Sequence, residues 1–381
     1  MSQPVVGTRR RLPFIVSLAI FAATAGGELS ADNLDRLMLP PGFELQIYAD
    51  HVPDARQLAV GPDGLVFVGS RNAGKVYALV DKDADYAADA VVVVAENLYM
   101  PSGVAYRDGD LYVAEVNRIL RFPDIAQRFR DRPTPEVVYG DLPSEGHHGW
   151  KTLAFGPDDK LYVPLGAPCN ICLTASPYAS ILRMAVDGSA PEVYASGIRN
   201  SVGLAWHPTR HELWFTDNGR DWLGDNLPSC ELNRVTTVGQ HFGFPYRHGA
   251  KGVDPEFGKQ APEGLEFTPP MVELGAHVAP LGLMFYRGKQ FPDQYQHNLL
   301  IAEHGSWNRT HKSGYRVVRV VLDASGGKVV KHAPFITGWL QGDAAWGRPT
   351  DLAELPDGSV LIADDMANRV YRLQYRGSDA D

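Results

Sequence analysis

Six stretches of this chain read alike, and that repetition limits the fold more than any other feature. "QLAVGPDGLVFVGSRNAGKVYALV", from Gln57, and "TDLAELPDGSVLIADDMANRVYRLQY", from Thr350, share one order. Each has an apolar strand, a Pro-Asp-Gly turn, a second apolar strand, a polar loop and a third strand with Val-Tyr. Four further copies begin at Ser102, Lys151, Val202 and Leu281. Asp-Gly is the expected chemistry of a tight hairpin. Six strand-turn-strand-loop-strand units around one axis make an all-β, six-bladed β-propeller. A plain sandwich would not repeat its internal order six times. The high glycine and proline content, 38 and 28 residues of 381, agrees with a turn-rich β protein. The repeats place the propeller over residues 38–376, with a loop-rich insertion at about 250–275, before the fifth unit.

Ahead of the repeats, "TRRRLPFIVSLAIFAATAGG" has a basic start at Arg9 to Arg11 and an apolar run from Leu12 to about Ala23. It ends on an Ala23-Thr24-Ala25 cleavage pattern. Residues 1–25 therefore read as a secretory signal peptide, and the mature protein as periplasmic or secreted, without stable membrane insertion. Export permits disulfides. Cys169 and Cys172, in "CNIC", are close enough to pair, and Cys230 is left free or paired in their place. No nearby ligands complete a zinc site, and Leu173 stands where attached haem needs histidine. The net charge of −9 argues against nucleic acid as a partner.

The propeller also tells where a site can lie. Residues just before each first strand, and in each loop after the second strand, meet near the axis on one face. Before first strands stand His147, His148, Lys151, Arg199, Asn200, His277 and Arg348. The loops after second strands bring Asn218 to Asp221, then Glu303, His304, Trp307, Asn308, Arg309 and Lys312, and finally Asp364 and Asp365. So many cations on one face of an acidic protein call for an anion, because clustered like charges are unfavourable unless compensated. Carboxylates suit the forked donors of Arg199 and Arg348. Trp150 and Trp307 are flat enough to stack on a planar ligand or to line its wall. His304, beside Trp307, is a further candidate contact.

"GHHGWKTLAFGPD", "GAPCNIC", "GIRNSVGLAWHP", "LWFTDNGRDWLGDN", "ELNRV", "GFPY" and "EHGSWNR…GYRVVRV" resemble the sorbosone dehydrogenase family. The chain is similar as well to the soluble quinoprotein glucose dehydrogenases and fungal quinoprotein sugar dehydrogenases, from about Leu39 to Tyr375. The resemblance implies pyrroloquinoline quinone (PQQ), a planar tricarboxylate, held with calcium. It implies His148 as catalytic base, and Arg199 with Asn200, Lys312 and Arg348 as cofactor contacts. It implies Gly219 and Arg220 as the loop whose backbone carbonyls bind calcium. Lys151, Trp307 and His304 join the cofactor contacts by position alone. Expected partners are a sugar or sugar-aldehyde and an external acceptor, a quinone, cytochrome or dye.

Two departures stand out. Related glucose dehydrogenases carry Asp where this chain has Ala167, and use it to orient the base. They carry a second Arg where this chain has Thr350. His148 must then be oriented by something else, with His147 as support. A second reading is a calcium-dependent lactonase, since other six-bladed propellers hold calcium with Asn, Asp and Glu side chains. Asn200, Asn218, Asp364 and Glu303 are the candidates here. The cation cluster, which a lactonase does not need, favours the dehydrogenase over it and over a non-catalytic binding propeller.

Overall fold

The computed structural model describes residues 31–377, so the expected signal peptide lies outside the described residues. Six four-stranded antiparallel sheets stand around an axis as the blades of a propeller. The first blade runs Ala55–Val60, Leu65–Ser70, Val76–Val80 and Ala90–Ala95. The second is Gly103–Arg107, Asp110–Ala114, Ile119–Phe122 and Glu136–Tyr139. The third is Ala154–Phe155, Leu161–Leu165, Ser180–Met184 and Glu192–Ser196. The fourth is Leu204–Trp206, Leu213–Asp217, Ser229–Val235 and Val272–Ala276. The fifth is Pro280–Phe285, Leu299–Glu303, Arg316–Leu322 and Val329–Ile336. The sixth is Pro349–Glu354, Val360–Asp364 and Arg369–Tyr375, completed by Phe43–Ala49 from the other end of the chain.

That last pairing closes the ring. Phe43 lies opposite Tyr375 and Ile47 opposite Tyr371. Phe43 packs edge-on against Phe291, Tyr295, Phe335 and Tyr375, with ring centroids 4.7 to 5.2 Å apart. The Asp-Gly turns do what their chemistry allows. Asp108 and Gly109, at φ 51° and 95°, form the two-residue connection between the paired Arg107 and Asp110.

Second strands such as Leu65–Ser70 and Leu213–Asp217 are buried along their whole length, because neighbouring blades cover both faces. Their continuous apolar runs made the repeat visible. The fourth strands lie at the rim, half exposed, as in Glu136–Tyr139. Solvent contact relaxes their pattern, and the sequence reading counted three strands per unit. The insertion is placed accordingly: it leaves after Val235 and returns as Val272–Ala276, inside the fourth blade.

Near the axis the first strands crowd together. A Cβ on Gly203 would lie 2.2 Å from the carbonyl oxygen of Leu281, so only glycine fits there. Polar side chains pair the inner edges that no further strand covers. Gln57 donates to the carbonyl of Leu153 at 2.7 Å and accepts the amides of Val104 and Leu153. Thr350 donates to the carbonyl of Ala55 at 2.9 Å, tying the sixth blade to the first. The position where relatives have a second arginine is here part of the seam.

Candidate active site

The face where first strands begin and second strands end holds a cavity of about 330 Å³, within the range of small-molecule sites. His148, Trp150, Arg199, Asn200, Gly219, His304, Trp307 and Arg348 line it. So do Arg56 and Arg71, from the first blade. The positional rule comes close to both of these: Arg56 is the second residue of a first strand and Arg71 directly follows a second strand. The sequence reading applied the rule only from the third unit onward.

His148 is buried, in a left-handed backbone conformation at φ 50°, which is uncommon for a non-glycine residue. Its Nδ1 lies 2.8 Å from the carbonyl oxygen of Ala167. A carbonyl only accepts, so the neutral ring carries its hydrogen on Nδ1 and keeps a lone pair on Nε2. Burial, then the charge of Arg199, pushes the ring down to about 2, so it is neutral at physiological pH. The missing acid at position 167 is thus replaced by the backbone of that residue. The Ala167 amide in turn donates to the carbonyl of Arg199 at 2.8 Å. His147 is exposed, with its ring 4.1 Å from that of His148.

Arg199 is buried and almost fully bonded within the protein. Its Nε donates to the Asn170 carbonyl at 2.8 Å, and its Nη2 to Asn170 Oδ1 at 2.9 Å and Asp221 Oδ2 at 3.2 Å. Its Nη1 donates to the Asn218 carbonyl at 3.1 Å. A guanidinium has five N–H groups, so one remains. The forked grip on a carboxylate expected of Arg199 is therefore not available. The Asp217 carboxylate, pushed up to about 6 by burial, accepts the amides of Arg199 and Asn200 at 2.9 and 2.7 Å.

The opposite wall differs. Arg348 donates through Nε to the His304 carbonyl at 3.1 Å and through Nη2 to that of Gly305 at 3.0 Å, leaving three N–H groups. Arg56 uses one bond, to Asp365 at 2.8 Å. Arg71 sits over Trp150, its guanidinium carbon 4.0 Å from the ring centroid, and its buried Nε has no hydrogen-bond partner among the described residues. Asp365 also accepts from His304 Nε2 at 2.8 Å. Burial alone would raise Asp365, but His304, Arg56 and Arg348 outweigh it and hold it below the usual carboxylate range. Burial pushes His304 down to about 4 against the pull of Asp365, so this ring is neutral too. The cavity thus gathers Arg56, Arg71, Arg199 and Arg348 against Asp221 and Asp365, an excess of positive charge that favours an anion.

Some expected contacts lie elsewhere. Lys151 is buried and its ammonium donates to the Gly149 carbonyl. It lines a separate small void near the axis, with Gln57, Ser102 and Asp351, and burial lowers it to about 8. Lys312 is exposed, its Nζ 5.9 Å from the Tyr315 ring centroid. Arg220 turns its guanidinium to Asp254 and Glu256 of the insertion, at 2.7 and 2.6 Å, and does not line the cavity. Trp307 stands exposed at the cavity mouth, edge-on to Trp222 at 5.4 Å. Of the lactonase donors, Asn200 and Asn218 share the cavity, but the two carboxylates are engaged elsewhere. Glu303 is ion-paired with Arg316, and the Oδ1 of Asp364 caps the amides of Arg348, Met366 and Ala367. Cys169 and Cys172 form a disulfide, and Cys230 is free and buried.

Comparison with known proteins bears on the family and the fold. Residues 117–372 match the family described as Glucose / Sorbosone dehydrogenase. An uncharacterized protein of Borreliella burgdorferi is 35% identical over 352 residues, covering 89% of this chain and 91% of its own. The Trichoderma reesei carbohydrate-active enzyme of family AA12 superposes with a TM-score of 0.76 at 20% identity, over 89% of this chain and 97% of that one. The holo PQQ domain of pyranose dehydrogenase from Coprinopsis cinerea gives 0.74 at 16% identity, with the same coverage. At these identities the two structures speak for the fold.

Proposed function

Because the chain belongs to the glucose/sorbosone dehydrogenase family, we propose that it is a PQQ-dependent oxidoreductase acting on a sugar or sugar-derived aldehyde, sorbosone- or aldose-like. One observation carries this reading: a single cavity holds a neutral histidine with its Nε2 free and, facing it, arginines with unbonded donors. The donors of Arg71, Arg56 and Arg348 suit the carboxylates of PQQ. The unpaired Nε of Arg71 is an orphaned buried group of the kind that a ligand satisfies. When bound, PQQ supplies the quinone that accepts the hydride.

The protein's part is orientation and proton transfer. The substrate hydroxyl, or that of an aldehyde hydrate, gives its proton to His148 Nε2. The positive charge that grows on the ring is met by the Ala167 carbonyl, which already accepts from Nδ1. A bound anion would offset the field of Arg199, the second cause after burial of the ring's low proton affinity. The backbone carbonyls of Gly219 and Arg220 suit calcium. The Asp217 and Asp221 carboxylates are occupied by Arg199, Asn200 and Asn308, so oxygens of the ligand would have to supply the rest of such a site.

A signal peptide over 1–25 and the Cys169–Cys172 disulfide support action outside the cytoplasm, with an external quinone or cytochrome taking the electrons. No helix of the described residues is long and apolar enough to cross a membrane. The test is titration of the purified protein with PQQ, with and without calcium. Cofactor absorption is followed first, then dye reduction with sugars and sugar aldehydes. Calcium-dependent uptake with sugar-dependent dye reduction is expected. No PQQ uptake, together with hydrolysis of sugar lactones, overturns the assignment.

A further inference from the structure

We propose that Asn170, enclosed by the Cys169–Cys172 disulfide, is a positioning residue that fixes Arg199 in place without adding a second carboxylate to the one supplied by Asp221. The proposal rests on the dehydrogenase reading only for the identity of the anion that Arg199 faces.

The geometry is local and dense. Asn170 meets Arg199 along one edge of the guanidinium, with its carbonyl on Nε at 2.8 Å and its Oδ1 on Nη2 at 2.9 Å. Oδ1 also accepts the amide of Asp221 at 2.7 Å, and Nδ2 donates to the Asp221 carbonyl at 3.2 Å. One side chain therefore pins both the arginine and the loop that carries its carboxylate partner. Three residues earlier, Ala167 holds the ring of His148 through its carbonyl and the backbone of Arg199 through its amide, both at 2.8 Å. Base and arginine are thus set by one short segment of chain.

That segment has little else to stiffen it. Between Leu161–Leu165 and Ser180–Met184 no residue belongs to a strand or helix. The core beneath is small: Ala167, Ala179 and Phe244, with Cys169 and Ile171 against them. The disulfide, between Cα atoms 6.2 Å apart, closes the two residues Asn170 and Ile171 into a loop with few conformations. Preorganisation of this kind lowers the ordering penalty of ligand binding.

The chemistry of the clamp matters as much as its stiffness. A carboxylate on that guanidinium edge would hold it equally well, but would cancel the charge an anion needs. Amide and carbonyl oxygens orient without cancelling. Arg199 keeps a single ion pair, with Asp221 at 3.2 Å.

Two variants separate shape from charge: Cys169→Ser with Cys172→Ser, and Asn170→Asp. The first readout is the dissociation constant for PQQ, and for benzene-1,3,5-tricarboxylate as a redox-inert probe, by calorimetry. The second is hydrogen exchange of the Arg199 Nε–H by NMR in the ligand-free protein, with a thermal melt as folding control. The double serine variant is expected to bind about tenfold more weakly and to exchange faster, because a hydrogen bond to a charged group is loosened. Asn170→Asp is expected to keep the slow exchange while losing at least as much affinity. Unchanged affinity and exchange in the double variant overturn the clamp, and so does full affinity in Asn170→Asp. If the wild type binds neither tricarboxylate, the dehydrogenase reading falls, while unchanged exchange in the serine variant still decides against the clamp. A serine variant that fails to melt cooperatively leaves the Asn170→Asp arm to decide.

Discussion

The two walls of the cavity treat their arginines in opposite ways. On the side of the third and fourth blades, Arg199 gives four of its five N–H groups to the protein. On the side of the fifth, sixth and first blades, Arg348 retains three, and Arg71 makes no hydrogen bond through its guanidinium among the described residues. One wall is a finished frame that aims the His148 ring. The other is an unfinished surface whose donors await a partner. Cation clusters read from a sequence do not distinguish these roles, because the distinction lies in which acceptors are already within reach.

Substitutions can break this contrast. The largest effect is expected at His148: His148→Ala should lose about a thousandfold in dye-linked turnover, as for a missing general base. PQQ affinity should change by no more than a few-fold. Unchanged turnover removes His148 from the chemistry. Next comes the open wall. Arg71→Ala and Arg348→Ala should each weaken PQQ binding by about 10- to 100-fold, the loss of charge-assisted bonds, with little change in melting temperature. Arg199→Ala should instead lower the melting temperature strongly, since it leaves Asp221 without its cation and several acceptors unpaired. Equal melting behaviour of the three variants erases the difference between the walls.

A pH series sharpens the comparison. His304 is depressed from an ordinary 6.5 to about 4. Between those values the unfolded chain binds a proton that the folded ring does not, so stability rises with pH across that window. Melts from pH 4 to 7 should show a shallower rise in His304→Gln than in the wild type. Parallel curves contradict the neutral ring. The smallest effect is expected at Lys312. This exposed side chain should contribute at most about fivefold to affinity, and a larger loss in Lys312→Ala shows that its loop closes over the ligand.

Much of this was legible beforehand. Six buried second strands repeat because burial on both faces demands continuous apolar residues, and from them the propeller and its site face followed. The fourth strands escaped notice because half their residues meet solvent. The address of His148 could be read, but not its support, since a backbone carbonyl from Ala167 leaves no mark in the side-chain alphabet. Lys151 misled for a related reason: it stands at the right place in the repeat but turns toward the axis, where its ammonium donates a hydrogen bond to the Gly149 carbonyl. Arg71 was within reach of the positional rule, although its freedom from partners was not.

The seam between Phe43–Ala49 and Arg369–Tyr375 has a consequence for biogenesis. Its partners are separated by the other five blades, so the sixth blade cannot be assembled before Tyr375 has been made. Loop closure over such a span adds to the folding barrier. A polypeptide crossing a membrane N-terminus first would remain threadable until Tyr375 is released. The ring would lock only after Arg369–Tyr375 has arrived, and a product lacking that strand would have no way to shut.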